Sequence, residues 1–292
     1  MLRAFIFFLA MVGSVFGQGA LPFDTAFKGT DRFESIVAKV RPMAERVRAV
    51  SIGERTAWFG QILLGTPYKG HTLEIDDIVE APSVNFNGLD CWTFFETSLA
   101  LARMVELPVA KWTPESLLYF IEQDRYWSGR CDGTYLSRLH YLEDWAKDND
   151  RRGYVKDLTR NLGGVGVANS AIEMTHNWRG YRYMVKSPEN RAGISELEAG
   201  LRRRPLFMIP KARVPEIEDR LQSGDIIGII SVDGDKYGTS HVGLALRRNG
   251  VLHFMHASAP SNYGKVVVDT RLSEYLAKFQ KHAGILVARP LK

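Results

Sequence analysis

Cysteine is scarce in this sequence, and internal repeats and low-complexity tracts are absent. Only two cysteines, Cys91 and Cys131, occur among 292 residues. A chain stabilised by cross-links would carry more cysteines at regular spacing, so this one must depend on a hydrophobic core. We expect Cys91, in an apolar stretch, and Cys131, in a polar loop, to be free thiols. A disulfide between them is the alternative.

Charge of neither sign dominates the sequence. Lys and Arg number 38 against 33 Asp and Glu, which gives a formal net charge of +5. Because no basic run is interleaved with aromatic residues, the sequence argues against a nucleic-acid partner, while the mild basic excess suits a polyanionic surface. With 45% hydrophobic and 24% charged residues, the composition is that of a globular protein. The length allows one large domain, or one core with an insertion.

The N-terminus has the pattern of a secretory signal peptide. Arg3 precedes an apolar run at residues 4–12, and Val15 and Gly17 offer the small side chains that a signal peptidase reads. The run is shorter than a typical membrane span, and no cysteine follows it to carry a lipoprotein anchor. We expect residues 1–17 to be cleaved near Gly17 and the mature protein to be exported, periplasmic or extracellular. An uncleaved N-terminal anchor is the alternative.

Helical periodicity fills much of the first half of the chain. Apolar residues recur at helical spacing within residues 31–64, with an interruption at Pro42. This pattern predicts an N-terminal helical region over residues 18–64. Three further helices are predicted at residues 91 to about 105 after the N-cap Asp90, at 114 to about 122 after Thr113, and at 135–147.

The apolar period changes to two from about residue 223, which is typical of strands. Helices followed by strands that are joined by short turns predict an α+β domain with an antiparallel sheet. The predicted strands are residues 225–232, 240–248, 251–258, 265–269 and 284–289.

Cys91 lies at the predicted start of a helix, directly after Asp90 and a glycine-containing loop. A thiol is a poor nucleophile until it loses its proton. A helix N-terminus lowers the thiol pKa, and a nearby imidazole completes the activation. The pattern therefore predicts that Cys91 is a nucleophile, with a buried core cysteine as the alternative.

Two histidines are the candidate partners of this thiol. Asn249 and Gly250 form a strong hairpin signal between two alternating apolar runs. With a two-residue turn, His241 and His256 become diagonal neighbours on one face of the sheet, and His253 points to the other face. A three-residue turn would reverse this parity and favour His253.

A zinc site is the other chemistry open to these residues. Cys91, His241 and His256 are ligand types that zinc prefers. They are widely scattered along the chain, however, and no close pair anchors an ion. We therefore predict no metal and no cofactor.

Three segments resemble the NlpC/P60 superfamily of papain-like cell-wall hydrolases. Residues 64–68, Leu-Gly-Thr-Pro-Tyr, resemble its Gly-x-Pro-Tyr loop, and residues 89–94, Leu-Asp-Cys-Trp-Thr-Phe, resemble its Asp-Cys-Ser-Gly-Phe helix start. Residues 241–244 and 256–258 resemble its His-Val-Gly-Ile and His-Ala-Ser strands. The resemblance implies a papain-like core in which the helix that bears the cysteine packs on an antiparallel sheet. Thr93 stands where the superfamily usually has glycine, so we expect this helix start to pack differently.

The resemblance also implies a role for each catalytic residue. Cys91 is the expected nucleophile, His241 the general base and His256 the group that orients it, while Tyr68 is expected to line the site. Attack of the thiol on an amide gives a thioester, which water then hydrolyses. The backbone N–H of Cys91, at a helix start, is the natural oxyanion donor.

About 150 residues separate Cys91 from His241, far more than in a minimal member of the superfamily. We expect a large helical insertion at about residues 107–222 within a catalytic domain of residues 65–292. Residues 130–145 resemble the Arg-Leu-His-Tyr…Asp-Trp segment of the DUF1460 branch, whose members are described as N-acetylmuramoyl-L-alanine amidase-like. This implies cleavage between muramic acid and the first L-Ala of a peptidoglycan stem peptide.

Substrate contacts and competing functions complete the prediction. The polar side chains of Arg138, His140 and Tyr141, which follow a glycine-containing loop, are expected to contact peptidoglycan or a muropeptide. The alternative is that these residues form a solvated helix face. Two other functions stay open: a γ-D-glutamyl–diamino acid endopeptidase and a non-catalytic cell-wall binding module, against which the intact Cys/His/His set argues. We expect a monomer without a stable membrane anchor. The predicted substrate-binding residues are Tyr68, Asp90, Arg138, His140, Tyr141 and Ser240.

Overall fold

The computed structural model of the chain describes residues 21–291. The predicted signal peptide, residues 1–17, lies outside these residues. Within the described part, no helix is both long enough and apolar enough to cross a membrane. Helices prevail up to about residue 220 and an antiparallel sheet prevails after it, so the predicted α+β class is confirmed.

Short helices build the N-terminal region. The predicted interruption at Pro42 is a 3-10 turn, Arg41–Met43, because proline lacks the N–H that a continuing helix needs. The last helix of the region begins after Ser51, which forms a capping box with Glu54. The elements are α1 (Phe23–Ala26), β1 (Phe27–Lys28), α2 (Thr30–Val40), α3 (Ala44–Arg48) and α4 (Ile52–Ile62).

The central helix of the fold begins at Cys91. Strand β2 (Val84–Asn85) pairs in parallel with β1 and leads into α5 (Cys91–Met104). All residues of α5 after the first two are buried, which explains its continuous apolar sequence. Helix α6 (Pro114–Arg125) follows after the N-cap Thr113. The predictions of both helices are confirmed.

The predicted helix at residues 135–147 is wrong in its first half. Tyr135–Ser137 form a single 3-10 turn, and the backbone of Arg138 is extended. Helix α7 (Leu142–Arg151) begins only after this segment. Leu139 is buried as a helix-face residue would be, but it lies in the extended segment. Apolar spacing alone does not distinguish a helix from a buried extended segment.

The stretch predicted as a helical insertion, about residues 107–222, also contains strands. Three short strands of this stretch join the main sheet. They are three to five residues long, too short to show a clear alternation of apolar residues in the sequence. The elements after α7 are β3 (Val155–Asp157), β4 (Val165–Val167), α8 (Glu173–His176), α9 (Arg182–Lys186), α10 (Pro188–Arg202), β5 (Leu206–Pro210) and α11 (Val214–Ile217).

The C-terminal part of the chain forms the centre of an eight-stranded antiparallel sheet. Its elements are β6 (Ile226–Asp233), β7 (Lys236–Arg248), β8 (Val251–Ala257), β9 (Val266–Arg271), α12 (Leu272–Ala277) and β10 (His282–Pro290). The strand order is β4-β5-β10-β6-β7-β8-β9, and β3 pairs with β10. The five strands predicted from the alternating pattern are confirmed.

Strands β7 and β8 form the predicted hairpin. Arg248 faces Val251, so the turn has two residues. Asn249 and Gly250 both have positive φ, at 49° and 81°, as the favoured type of two-residue hairpin turn requires. The sheet is covered on both faces, by α5 on one side and by α12 on the other. The start of α5 therefore comes to lie beside β7.

Candidate active site

A cavity of about 240 Å³ opens between the start of α5, strand β7 and the segment that precedes α7. Cys91 and His241 both line this cavity, although they are far apart in sequence. His256 lies behind His241, and Tyr68 is not part of the wall. The predicted site residues in the wall are Asp90, Cys91, Arg138, His140, Tyr141, Ser240 and His241.

A tightly bonded N-cap fixes the position of Cys91. Asp90 Oδ1 accepts a hydrogen bond from the Thr93 N–H at 2.8 Å, and Thr93 Oγ1 accepts one from the Asp90 N–H at 3.0 Å. The second carboxylate oxygen accepts from the Thr72 hydroxyl at 2.8 Å and so ties the helix start to the preceding loop. Thr93, which replaces the usual glycine, thus completes a capping box.

The surroundings of Cys91 favour the protonated thiol. Burial, followed by the neighbouring Asp90 carboxylate, raises the pKa of Cys91 to about 12 from an ordinary value of 9.0. The backbone N–H groups of Val242, Trp92 and Cys91 itself act in the opposite direction, but by less. The prediction of a lowered thiol pKa is therefore wrong for the unliganded site, because desolvation outweighs the helix N-terminus.

His241 and His256 are neighbours on one face of the hairpin. Nε2 of His241 lies 2.7 Å from Nδ1 of His256, a hydrogen-bond distance. The register between β6 and β7 slips by one residue at Ser240, and a bulge of this kind re-aims the side chain beside it. Because Nε2 of His241 is engaged with His256, Nδ1 is the ring nitrogen left for the thiol.

Both histidines lie against buried aromatic rings. Phe254 stacks on His256 with 4.7 Å between ring centroids, and Tyr275 lies 5.2 Å from His256. Burial lowers the pKa of His241 to about 3, and His256 and His282 add to this effect. The resting cavity therefore holds a neutral thiol at Cys91 and a neutral imidazole at His241.

Arg138 belongs to a buried ion cluster. Its side chain is only 3% exposed, and Nη2 lies 2.7 Å from Glu74 Oε1. Nη1 lies 3.5 Å from Glu80 Oε2 and donates to the Leu73 carbonyl at 2.8 Å. The alternative of a solvated helix face is therefore wrong, because the guanidinium is paired inside the cavity wall.

The remaining predicted contact residues are also engaged within the protein. His140 Nε2 lies 2.8 Å from a backbone carbonyl, and burial lowers the pKa of His140 well below its ordinary value. The Tyr141 hydroxyl donates to Glu198 at 2.6 Å, and the Ser240 hydroxyl shares a hydrogen bond with another serine. Burial, with the thiol and the N-cap carboxylate nearby, raises the pKa of Tyr68 to about 12.

Sequence reasoning missed several residues around this site. The Asp269 carboxylate lies 3.6 Å from Nε2 of His256. The pairing of His256 with Val267 places Asp269 two residues further along the neighbouring strand, so strand alternation could have identified it. Glu74 and Tyr181 line the cavity from loops that carry no periodic signal.

The two imidazoles are not arranged as ligands of a shared metal ion. His241 and His256 point ring nitrogens at each other, whereas common ligands would point them at one ion. Across residues 21–291, no group of three or more His, Cys, Asp or Glu side chains is arranged to hold a metal. The cavity wall thus brings the Cys91 thiol together with an imidazole, His241, whose ring is held by a second imidazole.

Solved structures resemble the chain over most of its length. An N-acetylmuramoyl-L-alanine amidase from Bacteroides uniformis is 31% identical with a TM-score of 0.73, and the match covers 82% of this chain and 99% of that chain. A Bacteroides fragilis protein described as a candidate xylanase is 33% identical with a TM-score of 0.69, over 80% and 99% of the two chains. Protein LPG0564 from Legionella pneumophila, of the DUF1460 family, is 22% identical with a TM-score of 0.64, over 90% and 97%, and shares the fold.

The family model described as AmiA-like, N-acetylmuramoyl-L-alanine amidase-like, matches residues 58–285. No curated protein matches the chain. The matched span includes Cys91, His241 and His256 and most of the described residues. The chain therefore belongs to the AmiA-like family of N-acetylmuramoyl-L-alanine amidase-like proteins.

Proposed function

We propose that this protein is an exported cysteine amidase that cleaves the bond between N-acetylmuramic acid and L-Ala in peptidoglycan or muropeptides. Cys91 is the nucleophile, His241 the general base and His256 the group that orients His241. The observation that carries the proposal is that Cys91, at the start of α5, shares a cavity with His241, whose Nε2 lies 2.7 Å from His256. The family description and the Bacteroides uniformis amidase support the choice of substrate.

The reaction begins from a neutral pair. As the Cys91 sulfur attacks the amide carbonyl, its proton passes to Nδ1 of His241, and charge develops only when substrate is present. The Cys91 N–H at the helix start faces the developing oxyanion. His241 then protonates the leaving L-Ala nitrogen, and the free stem peptide departs. Water deprotonated by His241 finally hydrolyses the thioester to the muramic acid carboxylate.

We further propose that the core is of the papain-like NlpC/P60 type and that the N-terminal segment directs export. A central helix that begins at the cysteine and packs on an antiparallel sheet supports this assignment. Tyr141 and Ser240, in the cavity wall, are proposed to contact the substrate directly. Arg138 is proposed to act by holding the wall, since its guanidinium is paired with Glu74 and Glu80.

The relative that is described as a xylanase suggests a different reaction, the hydrolysis of a glycosidic bond. Glycoside hydrolysis normally needs two carboxyl groups on either side of the scissile bond. In this cavity, Asp90 caps α5 with Oδ1 and accepts from Thr72 with Oδ2, and Glu74 is paired with Arg138. Asp90 and Glu74 thus have structural partners, and Glu173, the third carboxylate of the wall, cannot form the required pair alone, so the cavity supports thiol chemistry better than glycoside hydrolysis.

Mass spectrometry of the products from one purified disaccharide-tetrapeptide tests the proposed bond. We expect a free tetrapeptide and an intact disaccharide, with a sample lacking enzyme as the control. A released dipeptide that carries the diamino acid would instead identify a γ-D-glutamyl endopeptidase. Separated sugars would identify a glycosidase, and an unchanged substrate would favour a binding module.

A further inference from the structure

A buried carboxylate lies behind the two histidines. His256 and Asp269 are 2% and 6% exposed, and His256 Nε2 lies 3.6 Å from Asp269 Oδ2. Neither atom has a hydrogen-bond partner within the described residues. Buried polar atoms rarely stay unpaired, and these two need to approach by only a few tenths of an ångström to form a hydrogen bond.

The opposite oxygen of Asp269 is held firmly. Oδ1 accepts from Lys278 Nζ at 2.6 Å and from the Thr270 N–H at 2.7 Å. Burial alone would raise the pKa of Asp269, but His256, Lys278 and the Thr270 N–H hold it well below the ordinary value. Asp269 is therefore an ionised carboxylate with one oxygen anchored and the other facing His256.

An ionised carboxylate can only accept hydrogen bonds, and this fixes the protons on both rings. Nε2 of His256 must carry a hydrogen to satisfy Asp269, so Nδ1 of His256 is an acceptor. Nε2 of His241 must then donate to that acceptor. In a neutral imidazole the other nitrogen is unprotonated, so Nδ1 of His241 is left as a base toward Cys91.

We propose that Asp269 is a positioning residue for the amidase reaction, which sets the tautomer of His256 and, through it, the tautomer of His241. The inference rests on the proposed roles of Cys91 and His241. A purely structural role for Asp269, as the anchor of Lys278 after α12, is the competing explanation. A positioning role predicts that the loss of the carboxylate moves the protons of the histidine rings, whereas a purely structural role does not.

Asp269→Asn separates these explanations because it preserves size and the anchored oxygen. With the amide oxygen toward Lys278, the amide nitrogen faces His256 and donates where the carboxylate accepted. The hydrogen bonds between residue 269 and His256, and between His256 and His241, then run in the opposite direction. Nδ1 of His241 therefore carries the proton and cannot accept one from Cys91. We expect kcat to fall by about 10²- to 10⁴-fold, with KM changed less than about threefold.

The matched control is Asp225→Asn. Asp225 is also buried, bonds to Arg289 at 2.7 Å and does not line the cavity. We expect this variant to keep the wild-type kcat. A folded Asp269→Asn protein with the wild-type kcat would overturn the proposal.

Nitrogen-15 NMR of histidine-labelled protein at pH 7 reads the tautomers without substrate. In the wild type we expect Nε2 of both His241 and His256 to be protonated and both Nδ1 atoms to be unprotonated. We expect the reverse in Asp269→Asn and no change in Asp225→Asn. Protonated Nδ1 atoms in the wild type would overturn the proposal even if Asp269→Asn fails to fold. Because this measurement needs no turnover, it also separates failure of this inference from failure of the proposed amidase activity.

Discussion

The resting charge state of Cys91 decides how the site can work. A protonated thiol beside a neutral imidazole avoids a buried ion pair before substrate arrives, when desolvation would oppose it. The pKa of Cys91 is raised to about 12 and that of His241 is lowered to about 3. Between these values both groups are neutral, so the proton stays on the thiol of the resting site, in keeping with the proposal that it moves to His241 only as the sulfur attacks the substrate.

Alkylation of Cys91 by iodoacetamide should therefore be slow at neutral pH. Only the thiolate reacts, and a raised pKa shifts the rise in rate above pH 9, since less thiolate is present at every lower pH. The measurement is the alkylation rate between pH 5 and pH 10 in a Cys131→Ala protein, which removes the second thiol. A rate that reaches its plateau by pH 7 would show a resting thiolate and contradict this picture.

At the scale of elements, the β7–β8 hairpin holds His241 and His256 in place. A Cβ atom on Gly243 would lie 2.5 Å from the Met255 carbonyl and 2.7 Å from the Phe254 ring. Both atoms lie next to His256, so the hairpin would have to open where His241 and His256 meet. Glycine is needed here because another backbone approaches closely.

Gly243→Ala should accordingly lower both stability and activity. Overpacking of this kind costs about 1–3 kcal/mol of unfolding free energy, and we expect at least a tenfold loss of kcat/KM. Gly238→Ala on the same strand is the matched control, because a Cβ there meets no atom within 4 Å. Thermal unfolding and initial rates of both variants check this. If the two variants have the same unfolding temperature and the same kcat/KM, the close packing at Gly243 affects neither stability nor activity.

Elements with a strong local signal could be predicted from the sequence. Asp90 and Thr113 start their helices as capping residues should, and Asn249 with Gly250 fixes the register that brings His241 to His256. Elements determined by distant contacts could not be predicted. The segment around Arg138 is extended because Arg138 is buried between Glu74 and Glu80, and nothing near it in the sequence indicates this.

The candidate site, too, has parts that the local sequence predicts and parts that depend on contacts across the whole molecule. The residue types of the pair Cys91 and His241 could be read from motifs, but the pKa of Cys91 depends on burial by other parts of the chain. Asp269 was identifiable in principle from strand alternation, once the register with β8 was known. The wall formed by Tyr141 and Tyr181 required the full fold.

At the scale of the whole molecule, we propose that the long stretch between Cys91 and the two histidines supplies the specificity for one amide. A Cys/His/His set alone cannot choose among the several amides of a stem peptide, so another part of the cavity must position one carbonyl against the thiol. Arg138, Leu139 and Met174, from this stretch, form the wall opposite β7. This wall is therefore the part of the cavity that we propose to select the amide.

Turnover by Cys91→Ala tests the central claim most directly, with Cys131→Ala as the control. Both variants remove one free thiol, but only Cys91 lines the cavity. With disaccharide-tetrapeptide as substrate and thermal unfolding as the check on folding, we predict no measurable product from Cys91→Ala and wild-type rates from Cys131→Ala. A folded Cys91→Ala protein that still releases tetrapeptide would contradict the cysteine mechanism.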